Sequence, residues 1–455
     1  MTTEKVFSYF GMMPKGSNII LYGMGKRGRT FLEINEEIHW FNIVCIMDKN
    51  GDNSIDNTNF DDMNYDYILI AIADIDTCFD VKAELIDKGV DENKIIFCRT
   101  YNVKIEDKFF LGPETEYVKT AIILNGGIGD IVVSRAFINA FVRKFENIKV
   151  DIFTNKKNPA RIIIGDYKFG FFMKDDLKRN EYHLVLELEH FPRIMYMDKF
   201  FIRKKNPELY NSIMQLFAYQ RKKLFSEHKE LNIRISTNLN RARLMRASRY
   251  DLIKANGFLD IKDTDFRISV NDEYEEEFRK LMSGKKYITF NFGADRVTVN
   301  NKVYDKPQTK QWPKEYHETI NRMLKERYPD LEIIQVGAAD SEKIEGADRY
   351  IFGQNLEIVK HILKNAMLHF DCEGGLVHLA TNLGTKCFVV FGPTPVWFYG
   401  YEQNENIQCG DCKECQALYD DWFYECHVYP RNECMYRIYP ENVFERIVEY
   451  LDERI

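Results

Sequence analysis

Two glycine-rich turns in this 455-residue chain have the spacing to hold phosphate, and one of them carries a carboxylate placed to accept a proton. The first, Gly23-Met24-Gly25-Lys26-Arg27-Gly28, directly follows the apolar run Asn18-Ile19-Ile20-Leu21-Tyr22. A strand that ends in such a turn and feeds a helix exposes backbone N–H groups at the positive end of the helix dipole, so a phosphate is held without side-chain charge. Asp48 closes the next apolar run, where a ribose-binding acid would stand. Gly23, Gly25, Gly28 and Asp48 are therefore a candidate nucleotide site. The same residues also suit a Rossmann-like module that binds nothing or serves assembly. The second turn, Gly126-Gly127-Ile128-Gly129-Asp130, follows the run Thr120 to Leu124. Here Gly127 and Gly129 offer backbone to a phosphate. Asp130 either caps the helix or serves as a general base toward an acceptor hydroxyl.

A third feature is a run of thiols. Of 10 cysteines, half lie between Cys409 and Cys434, beginning with Cys409-x-x-Cys412-x-x-Cys415. Pairs two residues apart are metal-knuckle spacing, and a tetrahedral ion takes four ligands. The expected set is Cys409, Cys412, Cys426 and Cys434, with Cys415 as the alternative, holding a structural zinc or iron. The plainer reading is a loop of buried thiols.

The elements that must position these groups repeat along the chain. Strands are expected at Asn18 to Tyr22, Asn42 to Met47, Tyr67 to Ala73 and Ile95 to Phe97, alternating with helices, which indicates a parallel sheet. The pattern restarts at Thr120, with a helix that puts Phe137, Phe141 and Phe145 on one face, and strands at Lys149 to Phe153 and Tyr182 to Glu187. It restarts again at Lys286, with a helix from Pro313 to Arg327 and strands at Leu331 to Val336, Met367 to Phe370 and Cys387 to Phe391. A last helix opens at Pro440, with Val443, Ile447 and Leu451 on one face. The expected domains are residues 1–112, 113–280 and 281–439, with the helix 440–455 closing the chain. Residues 200–254 read as helical and basic, including Arg221, Lys222, Lys223, Arg241, Arg243, Arg246 and Arg249, a run that usually marks a solvated face.

Composition narrows the classes. Hydrophobic content of 45% and charged content of 29% are those of a folded globular chain. A net charge of -7 argues against nucleic-acid binding. The start lacks a signal-peptide pattern and no apolar run is long enough to span a bilayer, so a cytoplasmic location is expected, with peripheral contact at the inner face of the membrane and homo-oligomer formation left open.

In the last third, Lys310-Gln311-Trp312-Pro313, Gln335-Val336-Gly337, Asp371-Cys372-Glu373-Gly374-Gly375-Leu376-Val377-His378 and Phe391-Gly392-Pro393-Thr394 follow in order. Together with the Gly127-x-Gly129-Asp130 turn, the series resembles glycosyltransferase family 9, the ADP-heptose:lipopolysaccharide heptosyltransferases, over roughly residues 118 to 450. The resemblance implies an α/β chain of GT-B fold, two Rossmann-like lobes across a cleft, preceded here by a Rossmann-like domain. It implies Asp130 as base, Lys310 as the cation on the donor diphosphate, and Asp371, Gly374, Gly375 and His378 along the donor site. The family pattern is Asp-x-Gly-x-x-His, and the stretch from Asp371 to His378 is two residues longer. Autotransporter heptosyltransferases of the same broad family carry an iron-holding cysteine finger in this region. The implied activity is inverting transfer of a heptose or hexose from a nucleoside-diphosphate sugar to a glycan, lipid-linked or protein acceptor in cell-surface glycan synthesis. No catalytic cofactor is expected. The alternatives are a non-catalytic nucleotide-sugar-binding or assembly protein and a GT-B-like sugar-nucleotide epimerase.

Overall fold

The strand runs read from the sequence pair into three separate, mainly parallel sheets in a computed structural model of the chain. The structure describes residues 2–7, 13–14, 16–39, 41–49, 54–98, 100–105, 112–165, 169–188, 191–219, 242, 247–282, 284–292, 298–299, 302–303, 309–410, 412, 414–416, 422, 426 and 433–455. The expected basic residues Arg221, Lys222, Lys223, Arg241, Arg243 and Arg246 lie outside them. The chain divides into two units. One comprises Met1–Glu106, Ala218–Arg246 and Ala417–Asp420, and the other Asp107–Phe217, Ala247–Gln416 and Asp421–Ile455.

In the first unit, β1 (Thr2–Phe7) pairs antiparallel with β6 (Thr100–Ile105). The main sheet holds β2 (Asn18–Tyr22), β3 (Asn42–Met47), β4 (Tyr67–Ile70) and β5 (Ile95–Phe97), all parallel, in the order β3-β2-β4-β5. Helices α1 (Lys26–Ile38) and α2 (Ile75–Asp87) make two of the crossovers. The strand order reverses at β2, and the Gly23 turn sits at that switch point, where open α/β sheets bind ligands. The last glycine of the turn is sterically required, because a Cβ on Gly28 would overlap the Gly23 carbonyl oxygen. Helix α1 thus starts hard against the strand it follows.

The second unit contains two sheets. The first lobe orders β7 (Val118–Leu124), β8 (Ile148–Phe153), β9 (Gly170–Phe172), β10 (Leu184–Leu188) and β11 (Arg193–Met197) as β11-β10-β7-β8-β9, with only β11 antiparallel. Helix α3 (Ile128–Lys144) follows β7 and buries Phe137 and Phe141 in the expected stripe. The second lobe holds β12 (Tyr287–Phe290), a small antiparallel pair β13 (Thr298–Val299) and β14 (Lys302–Val303), then β15 (Glu332–Gly337), β16 (Arg349–Phe352), β17 (His369–Cys372), β18 (Cys387–Phe391) and β19 (Glu405–Gln408). Its six-stranded parallel sheet runs β16-β15-β12-β17-β18-β19. Two Rossmann-like lobes in one unit, preceded along the sequence by a third α/β sheet, are the expected fold class.

The terminal helix Pro440–Asp452 belongs to the second lobe's core, where Val443, Ile447 and Leu451 pack with Trp312, Ile320 and Leu324. Trp312 is wholly buried and donates its indole N–H to the Ile438 carbonyl at 2.9 Å, so it is a core residue whose backbone fixes where Lys310 emerges. Among the described residues, no helix is long and apolar enough to cross a membrane.

Candidate functional site

Each lobe presents a helix start at its own switch point, and in the second unit the two starts touch. The first lobe reverses strand order at β7, whose end feeds the Gly126–Gly127 turn and α3. The second reverses at β12 and β17, and β17 feeds the helix Gly375–Leu383. A Cβ on Gly129 would overlap the His378 ring, and one on Gly375 would press on Ile128 at 2.9 Å. Glycine at both places is what lets two positive helix ends come this close.

At the junction lies a chain of charged and polar side chains. Asp130 Oδ1 accepts from Arg249 Nη2 at 2.7 Å, and Asp130 Oδ2 accepts from the Gly127 N–H at 2.8 Å. Arg249 Nη2 also points at the Gly129 carbonyl, 3.4 Å away, and Nη1 lies 3.1 Å from His378 Nε2. Arg249 is 1% exposed and stacks over the Tyr399 ring. Burial opposes its charge, yet Asp130 outweighs that and holds the guanidinium pKa above its usual value. Arginine only donates, so Nε2 of His378 must accept and the ring proton sits on Nδ1, facing the Tyr401 hydroxyl at 3.0 Å and the Tyr250 hydroxyl at 3.4 Å. Burial, then the Arg249 charge, lower the pKa of His378 and keep it neutral near pH 7.

The second lobe supplies the other ion pair. Lys310 Nζ stands 2.5 Å from Glu373 Oε2. Burial would raise the Glu373 carboxyl, but Lys310 reverses the effect and brings it to about 2. His378 Nε2 lies 3.4 Å from Glu373 Oε1, but its lone pair already serves Arg249, so Lys310 is the effective counter-ion.

Asp130, Lys310, Gly374, Gly375 and His378 thus converge from the sequence motifs, while Asp371 turns elsewhere. Its carboxylate accepts from Asn291 Nδ2 at 3.3 Å and lies 3.4 Å from His369 Nε2. Burial raises its pKa despite those two neighbours. Glu373 occupies the place expected of Asp371 because Asp371 lies within β17, whereas Glu373 stands past the strand's end, in the turn that opens the helix Gly375–Leu383. The signal was present, since Glu373-x-Gly375-x-x-His378 has the family spacing with glutamate for aspartate. Arg249 is the larger correction. It was grouped with a solvated basic run, whereas Ser248 caps its helix Arg249–Lys254 and aims it into the junction. Tyr250, Tyr399 and Tyr401 carried no sequence signal, because their role comes from packing around His378.

No family model and no curated protein matches the chain. Solved structures do. The chain is similar to E. coli ADP-heptose lipopolysaccharide heptosyltransferase II (13% identity, 74% of this chain and 100% of that chain, TM-score 0.46). It is similar to a family 9 glycosyl transferase from Veillonella parvula (13% identity, 75% of this chain and 100% of that one, TM-score 0.44). A third is the iron-containing dodecameric glycosyltransferase TibC of enterotoxigenic E. coli (12% identity, 78% of this chain and 79% of that one, TM-score 0.43).

Among the described residues, no group of three or more His, Cys, Asp or Glu is placed to hold a metal. Cys412 Sγ donates to the Gly392 carbonyl at 3.0 Å, and Cys434 shares thiol contacts with Cys412 and Cys426. Cys409 packs at the edge of the second lobe's core and Cys415 is buried. These contacts support the Gly392–Pro393 turn beside Thr309 and Lys310. In the first unit, Asp48 Oδ2 accepts the Met24 N–H at 2.7 Å, so the expected ribose acid ties down its own glycine turn. Arg27 reaches the carbonyls of Ile72 and Cys98.

Proposed function

We propose that the second unit is an inverting glycosyltransferase that moves a heptose or hexose from a nucleoside-diphosphate sugar to a hydroxyl of a glycan, lipid-linked or protein acceptor. The observation that carries this reading is the junction itself, where Asp130 on the first lobe faces Lys310, Glu373 and His378 on the second across Arg249. The acceptor oxygen attacks the anomeric carbon in line with the departing phosphate oxygen. The sugar–phosphate bond breaks with its electron pair on the diphosphate, and the acceptor proton passes to Asp130. Lys310 and the N–H groups at Gly374 and Gly375 meet the charge that develops on the leaving group. His378, neutral and fixed in one tautomer, orients Arg249 and through it Asp130.

Incubation with a panel of nucleotide sugars, reading both transfer and hydrolysis, tests this. Release of nucleoside diphosphate from one donor supports it, and binding without turnover favours the non-catalytic reading. That second reading draws on the fact that both Asp130 oxygens already accept hydrogen bonds.

The first unit's Gly23, Gly25, Gly28 turn is a proposed nucleotide site in which backbone, rather than Asp48, makes the contact. A structural zinc or iron on Cys409, Cys412, Cys426 and Cys434 rests on spacing alone. Elemental analysis of protein purified without a metal-affinity tag tests it.

A further inference from the structure

Lys310, the cation read here as the diphosphate's partner, is already neutralised from within. Its ammonium is 2.5 Å from Glu373 Oε2, with side-chain exposures of 17% and 6%. That carboxylate is poorly held by anything else. Among the described residues, Oε2 has no aligned hydrogen bond. On the other side of the carboxylate, His378 Nε2 uses its lone pair for Arg249 and offers Oε1 no proton. A buried carboxylate kept for its own architectural sake is hydrogen-bonded by several donors. Among the described residues, this one depends on the Lys310 ammonium alone, at the mouth of a helix N-terminus.

We propose that Glu373 is a resident counter-ion, which holds Lys310 until the donor's diphosphate arrives, yields the lysine to it, and takes up a proton in exchange. The proposal rests on the reading of Lys310 as the diphosphate's cation. A diphosphate beside Lys310 brings two or more negative charges next to a buried carboxylate, and like charges so close do not both stay ionised. The groups that face Glu373 leave it as the proton acceptor. Arg249 is committed to Asp130, and His378 faces Arg249. Asp371 is held by Asn291 and His369. Cys372, Tyr250 and Tyr399 have their pKa values raised by burial and are neutral at pH 7. The same exchange run backwards speeds product release, because Glu373 reclaims Lys310 as the nucleoside diphosphate leaves.

The test is calorimetric titration of the full chain with ADP, UDP and GDP at pH 7, in buffers of different ionisation enthalpy. The wild type is expected to take up about one proton per nucleotide bound, and to bind more tightly as pH falls. Glu373→Gln is expected to bind about tenfold tighter or better at pH 7 with no proton uptake, because the competing charge is gone. Binding by the wild type without proton uptake overturns the proposal and needs no variant. Uptake that persists in Glu373→Gln, or weaker binding by that variant, overturns it too and makes Glu373 a positioning group. If none of the three nucleotides binds, the reading of Lys310 falls first and the exchange falls with it.

Discussion

The two glycine turns look alike in sequence and end up doing different work. Both follow a buried strand, both open a helix at a switch point, and both have an acid nearby. In the first, the acid is Asp48, which stands past the end of β3 and accepts the Met24 N–H of the turn. In the second, Asp130 folds back onto the Gly127 N–H, but its other oxygen meets Arg249 from a helix more than a hundred residues away. A turn becomes a candidate for chemistry when a second element brings it an opposing charge, and local spacing does not contain that information.

Removing the acids separates the two turns most strongly. Asp130→Asn is expected to lower transfer by roughly two to four orders of magnitude while nucleotide affinity stays nearly intact. Equal turnover in that variant would reduce Asp130 to a group that only ties down its turn, as Asp48 does. Arg249→Met leaves the half-buried Asp130 carboxylate with the Gly127 N–H but without its cation. Thermal or denaturant unfolding should register about 1.5–3 kcal/mol of lost stability, and a loss below 1 kcal/mol would mean the pair is replaceable. Lys310→Ala should weaken nucleoside-diphosphate binding by roughly ten- to a hundredfold, since a charge-assisted contact to the diphosphate is removed. Unaltered affinity by calorimetry would detach Lys310 from the site.

Acid sharpens the contrast between the units further. His317 is buried among Phe290, Phe292, Trp312 and Phe370, and neither ring nitrogen has a hydrogen bond among the described residues. Burial brings its pKa down from 6.5 to about 3. The folded chain therefore keeps His317 neutral where the unfolded chain would protonate it. Stability is complete above pH 6.5 and falls as pH drops toward 3, by about 2 kcal/mol at pH 5. His317→Leu should flatten that slope in a denaturation series, and an unchanged slope would assign it elsewhere. The smallest effect belongs to Asp48→Ala, expected to cost the first unit about 1 kcal/mol through the lost hydrogen bond to the Met24 N–H and to leave transfer unaffected.

Local pattern was enough for the skeleton. The apolar runs at Asn18–Tyr22 and Cys387–Phe391 formed strands with those bounds. The Phe137 and Phe141 stripe is buried on α3 and Val443, Ile447 and Leu451 on the last helix, because periodicities of two and 3.6 residues are properties of the backbone. Short edge strands such as Gly170–Phe172 and Glu405–Gln408 carried too little pattern to be seen, since pairing with a neighbour defines them.

Local pattern in the sequence carries the α/β class and the two turns, and the resemblance to family 9 points to Asp130, Lys310, Gly375 and His378 as candidates. Packing alone sets Glu373 rather than Asp371 against Lys310, takes Arg249 out of the basic run to bind Asp130, and brings Asp48 from the end of β3 to the Met24 N–H. The physical reason is the same in each case. A charged side chain is ordinarily most stable in water, so its composition predicts a surface. It is buried only where folding delivers a partner from elsewhere in the chain, and that partner's identity is fixed by how sheets and helices pack.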